Sequence, residues 1–474
     1  MTADEARAIA CPGDWRSGPI PMKNQPNILL ILTDQQHHRM LSCAGNDYVR
    51  TPTLDRLAAE GTRFTRAYCA NPVCVPSRFS LFTGRMPSHI GMRHNDSEGV
   101  RSLIPDEQRQ GMGHLLREAG YLPVYGGKEH FPVDITATML GFDPLTKDER
   151  WELAREAARF LRDPPDQPWC LVTSFINPHD ICYHALRAGE PRNPLVQSAP
   201  TELANLDEAL ALPHGMAEET FFAEFCPPLP PNHLPQKDEP EAIRELLRLR
   251  PFRQHARKHW DEKQWRLHRW AYARLTEQVD RQIGVVLRAL RESGQDGNTL
   301  VVFTSDHGDH DGAHKLEHET EFYDEAVRVP FVMRHPGRIA GGRINQTHLI
   351  NNGLDLLPTL CDYAGIEPPP GLNGASVRPR AECPEHSAPQ RHVFAENQVS
   401  DMVCTGDWKY VEYFGGENPV QLYDLTRDPG ETRNAAFDPG NEPVLTYHQA
   451  LLARERRKNA SSPAGSGASR GEDP

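Results

Sequence analysis

Positive charge, long apolar runs and paired cysteines are all scarce in this chain of 474 residues. Lys plus Arg number 52 against 65 Asp plus Glu, a formal net charge of −13. That balance argues against nucleic acid or an anionic membrane as the main partner, because phosphate binding needs an electropositive face. An anionic small molecule stays compatible where a local site overrides the global field. The strongest apolar run, Asn27–Leu32, is far short of the about 20 residues that span a bilayer. The opening MTADEARAIACPGDWRSG has no apolar signal core, so no secretory signal is expected and the cytoplasm is the expected location. The ten cysteines form no CxxC pair and no metal-finger spacing, which argues for free thiols over a disulfide or zinc scaffold. No internal repeat is visible.

What is present suits a large globular fold: 38% hydrophobic and 25% charged residues, with 42 prolines and 35 glycines for turns. Strands are predicted at Asn27–Thr33, Leu122–Tyr125, Cys170–Ile176 and Thr299–Thr304. Helices are predicted after Thr51-Pro52 and over Asp261–Ser293, the latter with apolar positions at Leu275, Val279, Ile283, Val286, Leu287 and Leu290. Their alternation predicts an α/β fold, with a mixed, mostly parallel central sheet flanked by helices. Residues 1–25 read as an irregular leader, 26–368 as the main domain, and 181–258, rich in Pro and His, as an insertion-like segment. Residues 369–458 read as a small C-terminal α+β subdomain with an antiparallel sheet, from runs at His392–Glu396, Met402–Thr405, Trp408–Tyr413 and Val420–Leu425. Its last helix is predicted near Pro443–Lys458, and 459–474 as a disordered tail.

The most informative stretch is Cys74-Val-Pro-Ser-Arg-Phe-Ser-Leu-Phe-Thr-Gly-Arg85. A lone cysteine is most often a buried thiol. This one sits in C-x-P-S-R-x-S-x-x-T-G-R, eight specified positions, and the segment resembles the signature of the type I (formylglycine-dependent) sulfatases of the alkaline phosphatase-like superfamily. The resemblance runs from about Asn27 to Asn434. It includes Leu32-Thr33-Asp34-Gln35, Gly127-Lys128-Glu129-His130, Asn177-Pro178-His179, Thr304-Ser305-Asp306-His307-Gly308-Asp309, Tyr323–Pro330 and Leu422–Asn434.

The resemblance implies hydrolysis of a sulfate monoester on a carbohydrate or other small alcohol. Cys74 would be oxidised to formylglycine by a maturation enzyme. The hydrated aldehyde offers two geminal hydroxyls: one attacks sulfur, and the other, once deprotonated, expels sulfate by rebuilding the aldehyde. The implied catalytic set is Cys74, Arg78, Lys128, His130, His179 and Asp306, with Lys128 and His179 also holding substrate. The implied metal ligands are Asp34, Gln35, Cys74, Asp306 and His307. Asp34 and Asp306 end apolar runs, and the carboxyl ends of parallel strands share one edge. Converging carboxylates need a cation; Ca²⁺ is implied by the resemblance, and an imidazole ligand admits Mn²⁺. The oligomeric state stays open.

Three departures bear on this reading. Gln35 stands where a second Asp is usual, and His307 where some relatives have Asn; both occur in relatives that resemble phosphonate monoester and phosphodiester hydrolases. Counting four back from Tyr323, where the family places a sulfate-holding lysine, gives Glu319. Either Lys315 or His318 replaces it from the same loop, or the protein is an impaired binder of sulfated ligands. The series His307, His310, His314, His318 also suggests zinc, but only His307 lies at a strand end and no Cys accompanies it. Between Arg244 and Tyr272, arginines (Arg248, Arg250, Arg253, Arg257) alternate with Trp260, Trp265 and Trp270. They read as a solvated helix face with core tryptophans, or as a rim that stacks a sugar.

Overall fold

A computed structural model describes residues 25–189, 193–388 and 391–460. The expected leader up to residue 24 and the tail from 461 lie outside the described residues. The central sheet is organised around β1 (Asn27–Asp34), whose residues are all buried after Asn27. Its side chains alternate between two cores: Ile28, Leu30 and Leu32 face one, Leu29 and Ile31 the other. A strand buried on both faces reads as a continuous apolar run, which is how this one was legible.

The other strands of the sheet are β2 (Thr62–Phe64), β3 (Leu122–Gly127), β4 (Asp143–Thr146), β5 (Trp169–Pro178), β6 (Thr299–Ser305), β7 (Phe331–Arg334) and β8 (Arg343–Asn345). Their order is β4-β3-β5-β1-β6-β7-β2-β8, and only β7 runs antiparallel to its neighbours. The short strands β2, β4, β7 and β8 were not predicted; three or four residues are too few for a period.

Helices cover both faces. On one, α1 (Pro52–Glu60), α3 (Trp151–Arg162) and α4 (Glu262–Glu292) bury Leu54, Leu161, Val279, Ile283 and Val286 against Leu29, Ile31 and Val301. The start of α4 is a reciprocal cap: Asp261 accepts the Gln264 N–H at 2.8 Å, and the Gln264 carbonyl accepts the Asp261 N–H at 2.9 Å. On the other face, α2 (Cys74–Thr83) packs against α5 (Asn352–Ala364) through Phe79, Phe82, Leu357 and Leu360.

The 181–258 segment is more ordered than its composition suggests. It contains helices Cys182–Ala188, Pro200–Leu210, Glu241–Leu249 and Pro251–His259. Pro200 and Pro251 each open a helix, where the missing N–H is harmless, so these prolines are start signals and not breaks. Trp260, Trp265 and Trp270 are buried, as the plainer reading of that stretch has it.

The C-terminal strands β9 (Val393–Glu396), β10 (Ser400–Cys404), β11 (Trp408–Tyr413) and β12 (Val420–Asp424) form an antiparallel sheet in sequence order. It is covered by α6 (Glu442–Ala460), which takes in the first two residues of the expected tail. Among the described residues eight cysteines are free thiols; Cys383 is disulfide-bonded, which corrects the expectation of free thiols throughout.

One buried ion pair stitches this sheet to the main domain. Lys409 on β11 lies 2.5 Å from Asp324 and 2.7 Å from Glu431, with no exposed surface. Removing one partner from such a group strands the others in low dielectric. Lys409→Met should therefore lower unfolding free energy by about 3–5 kcal/mol in urea denaturation; a loss below about 1 kcal/mol would contradict a tethering role.

Candidate active site

The carboxyl ends of β1, β3, β5 and β6 meet along one edge of the sheet, the usual place for a ligand in such a fold. Asp34 is the last residue of β1, Lys128 follows β3, His179 follows β5, and Asp306 and His307 follow β6. Cys74 is the first residue of α2 and Pro76 the third. Gly127 turns the chain into Lys128 with φ +96°, and a Cβ there would meet the Ser174 carbonyl at 2.0 Å. Only glycine fits that approach.

Arg78, fully buried on α2, is the hub. Its Nη2 donates to Asp34 at 2.9 Å and its Nε to Asp306 at 2.8 Å. Its Nη1 donates to the Lys128 carbonyl at 2.9 Å and to Ser174 Oγ at 2.8 Å. Asp34 also pairs with Lys128 Nζ at 2.6 Å. The second oxygen of Asp306 accepts the backbone N–H of Gln35 at 3.1 Å and of His307 at 2.8 Å. Ser77 Oγ donates to the Asp306 carbonyl at 2.6 Å.

These contacts fix the protonation pattern. Burial raises the Asp34 pKa, but Lys128, His179, Arg78 and His307 outweigh it and hold the carboxyl well below its usual range. Asp306 is raised, by burial and then by the like charge of Asp34. Lys128 stays charged: burial opposes the charge, but Asp34, Cys74 and Asp306 together outweigh it. Burial, then Asp34, pushes the Cys74 thiol up, so the unmodified side chain is a poor nucleophile.

Asp34, Cys74, Asp306 and His307 present ligand-type atoms that all lie within 4.8 Å of one another. Cys74 Sγ is 3.8 Å from Asp34 and 3.1 Å from His307 Nε2. The other imidazole nitrogen, Nδ1, faces the Gly308 carbonyl at 2.8 Å and must donate to it, which aims Nε2 at the cluster. Burial opposes a charge on His307, but Asp306 and Cys74 raise its pKa well above the ordinary value. The cluster therefore draws in a positive charge. Of the four histidines in the 307–318 series only His307 belongs to it: His310 pairs with Glu321 at 2.9 Å, and His314 stacks on Tyr323 at 3.7 Å.

The remaining expected residues are less uniform. The Gln35 amide donates to Asp309 at 2.6 Å and its carbonyl receives the Cys182 thiol at 3.0 Å, so its side chain is engaged by neighbours of the cluster. His130 is exposed, in the field of Lys128, Asp34 and His307. His179 is driven neutral by burial and then by Lys128, and its sequestered Nδ1 has no hydrogen-bond partner among the described residues. His318 touches Glu317 and the Phe252 ring, and burial, then Arg253 and His179, hold its pKa well below the ordinary value; Lys315 acts on His233. Glu319 faces His307: burial raises its pKa, His307 and Arg253 oppose the rise, and its Oε2 is sequestered without a partner. Ser174, Asp309 and Cys182 were not anticipated. Asp309 stands in the quoted Asp306–Asp309 run, a signal that was available, whereas Ser174 and Cys182 carry none.

Residues 26–366 match the family model described as Sulfatase, and residues 312–458 match N-sulphoglucosamine sulphohydrolase, C-terminal. The chain is 31% identical to a Delta 4,5-hexuronate-2-O-sulfatase of Bacteroides thetaiotaomicron, over 91% of this chain and 88% of that protein. Among solved structures, a 2-O GAG sulfatase superposes with TM-score 0.77 at 28% identity, covering 92% of this chain and 93% of the other. The phosphonate monoester hydrolase of Agrobacterium radiobacter shares the fold, with TM-score 0.68 at 22% identity, covering 92% and 96%.

If Arg78 holds the two carboxylates in place, truncating it leaves them facing each other without a fixed cation. Arg78→Ala should cost about 3–5 kcal/mol in chemical denaturation, and Arg78→Lys, which keeps the charge but loses the fork, should cost less. Equal stability of both variants and the parent would contradict the arrangement.

Proposed function

The chain belongs to the sulfatase family and is a sulfuric ester hydrolase, and from that premise we propose that it cleaves a sulfate monoester on a carbohydrate through an oxidised Cys74. The observation that carries the reading is the position of Cys74: first residue of a helix, 3.1 Å from His307 and 3.8 Å from Asp34, inside a cluster that attracts positive charge. The sugar-directed relatives support a carbohydrate substrate. A thiol with a raised pKa would attack sulfur poorly, so maturation by a cysteine-oxidising enzyme is part of the proposal.

The donor set suits a divalent cation. Asp34, Asp306, His307 and the matured Cys74 side chain would hold it, with Gln35 beside them. Two carboxylates favour Ca²⁺, and the imidazole admits Mn²⁺. When bound, the ion supplies Lewis-acid polarisation of a sulfate oxygen, and the geminal diol of formylglycine supplies the nucleophilic hydroxyl.

The chain's own groups do the rest. Asp306, whose proton affinity is raised by burial and by Asp34, accepts a proton from the attacking hydroxyl. Arg78 keeps both carboxylates aimed, and the Lys128 ammonium offers fixed positive charge to the sulfate. His179, neutral at rest, donates an N–H to the leaving oxygen, and the arriving anion raises its proton affinity. His130, at the exposed rim, assists release of sulfate from the matured side chain. His318 takes the place of the missing lysine in preference to Lys315, as a neutral N–H donor, since burial and then Arg253 hold its pKa well below the ordinary value. The division into a 26–368 catalytic unit and a 369–458 subdomain is proposed on the same footing.

A second reading, phosphonate monoester or phosphodiester hydrolysis by the same nucleophile, is favoured by Gln35 and His307. A third, binding of sulfated ligands with little turnover, is favoured by Glu319, whose charge would oppose the sulfate.

Protein co-produced with a formylglycine-generating enzyme should show residues 67–85 lighter by about 18 Da, with turnover of aryl sulfate exceeding that of phosphodiesters. Cys74→Ala should reduce sulfate turnover to background; retained activity would sink the reading. A phosphodiester preference lost with Cys74 would select the second reading. Glu319→Lys discriminates the third: a gain of about tenfold or more in kcat would mean that Glu319 impairs the site, and a loss would mean that it takes part.

A further inference from the structure

Outside the catalytic cluster, four arginines gather around one cavity. A cavity of about 380 Å³ opens between the 38–44 loop, β2 with its continuation to Tyr68, the 324–330 segment and the C-terminal subdomain. Arg39, Arg63, Arg66 and Arg328 all line it, together with His38; its one carboxylate is Asp324.

That carboxylate is already spent. Asp324 Oδ2 accepts Arg328 Nη1 at 2.8 Å, and its Oδ1 lies 2.5 Å from the buried Lys409. Arg328 is further fixed by its Nε on the Thr65 carbonyl at 2.6 Å, which holds the guanidinium as a wall of the cavity. Arg66 has only a loose pair, 3.7 Å to the largely exposed Asp407. The guanidinium groups of Arg39 and Arg63 have no hydrogen-bond or ion-pair partner among the described residues. In a chain with a net charge of −13, carboxylates are abundant, yet none answers these two arginines.

Several guanidinium groups around one small cavity form a receptor for an oxyanion, since each planar fork matches two oxygens of a tetrahedral anion. The volume is at the low end of the about 300–1,000 Å³ of small-molecule sites, room for a free ion or one charged sugar unit. We propose that this cavity is a second sulfate-binding site, filled either by free sulfate or by a sulfate ester on a saccharide. The choice of sulfate over other oxyanions rests on the sulfatase reading; the anion site itself does not. The site is joined to the catalytic centre by a short stretch of chain. Asp34 and Gln35 sit at the cluster, while His38, whose N–H donates to the Arg328 carbonyl at 3.1 Å, and Arg39 sit at the cavity.

The test begins with crystals of the full chain soaked in selenate, whose anomalous signal marks each bound ion. A peak within hydrogen-bonding distance of Arg39 or Arg63 is expected. A peak at the catalytic cluster with none in the cavity would overturn the proposal and leave the hydrolase reading intact. A cavity peak in a protein with no sulfate-ester turnover would do the reverse. In solution, Arg39→Ala/Arg63→Ala should melt like the parent, since neither guanidinium holds a partner. By calorimetry the double variant should bind sodium sulfate or a sulfated disaccharide about tenfold more weakly at this second site, with kcat on a small aryl sulfate unchanged. Loss for both probes assigns the free ion as sufficient ligand, and loss for the disaccharide alone assigns the ester. Unchanged binding of both would overturn the proposal, even with a selenate peak.

Discussion

Two buried carboxylates in one pocket are tolerable because Arg78 bridges both, with Lys128 beside Asp34. Like charges about 4 Å apart repel by about 4 kcal/mol even at an effective dielectric near 20, and burial adds a desolvation cost for each. One guanidinium spans Asp34 and Asp306 with separate N–H groups and uses its remaining donor on the Lys128 carbonyl and Ser174. A lysine could not reach both acids at once. The constraint propagates outward: α2 must present Arg78 and Cys74 on consecutive turns, so its N-terminus must abut the ends of β1 and β6. The tight packing of α5 on α2 holds it there.

Much of this was legible because the relevant residues sit just past strongly apolar strands. Asp34, Lys128, His179 and Asp306 each follow a run whose period announced a buried strand, and parallel strands bring such positions to one edge. The C-terminal strands were equally clear, although both faces of that sheet are packed: Met402, Val411 and Tyr423 join the main core, and Val403, Tyr410 and Leu422 pack with Leu451 and Leu452 of α6. The short strands β2, β4, β7 and β8 were not, nor were the helices of 181–258, where proline marked starts and not interruptions. Within the site, Ser174 and Cys182 escaped for a different reason. They act on Arg78 and Gln35 through contacts of long sequence separation, and nothing local distinguishes them from ordinary strand or helix residues.

The 181–258 segment and the C-terminal subdomain also acquire a purpose that neither composition nor length suggested. The loop that carries Glu319 has positive φ at Asp311, His314, Lys315, His318 and Thr320. Each such residue costs on the order of 1–3 kcal/mol and persists only where surroundings over-determine it. The anchors are visible. His233 Nδ1 donates to the Gly312 carbonyl at 2.7 Å, and the Asn232 carbonyl accepts the His314 N–H at 2.7 Å. Arg253 donates to Glu321 at 2.8 Å, and the Asn397 amide donates to the Thr320 carbonyl at 2.7 Å. The first three come from the segment and the last from the subdomain.

That bracing explains how an unpaired carboxylate can persist beside the cluster. Left to relax, the loop would swing Glu319 into water and recover its hydration, which is the cheaper outcome for an isolated acid. Arg253 is the natural cation to compensate it, yet its fork is committed to Glu321 at 2.8 Å, with Glu317 at 3.7 Å. The loop thus commits the Arg253 fork to holding its own shape, and His307 is the stronger of the two cations that act on Glu319. Glu319 is held beside the cluster by the braced loop, with no hydrogen-bond or ion-pair partner of its own among the described residues.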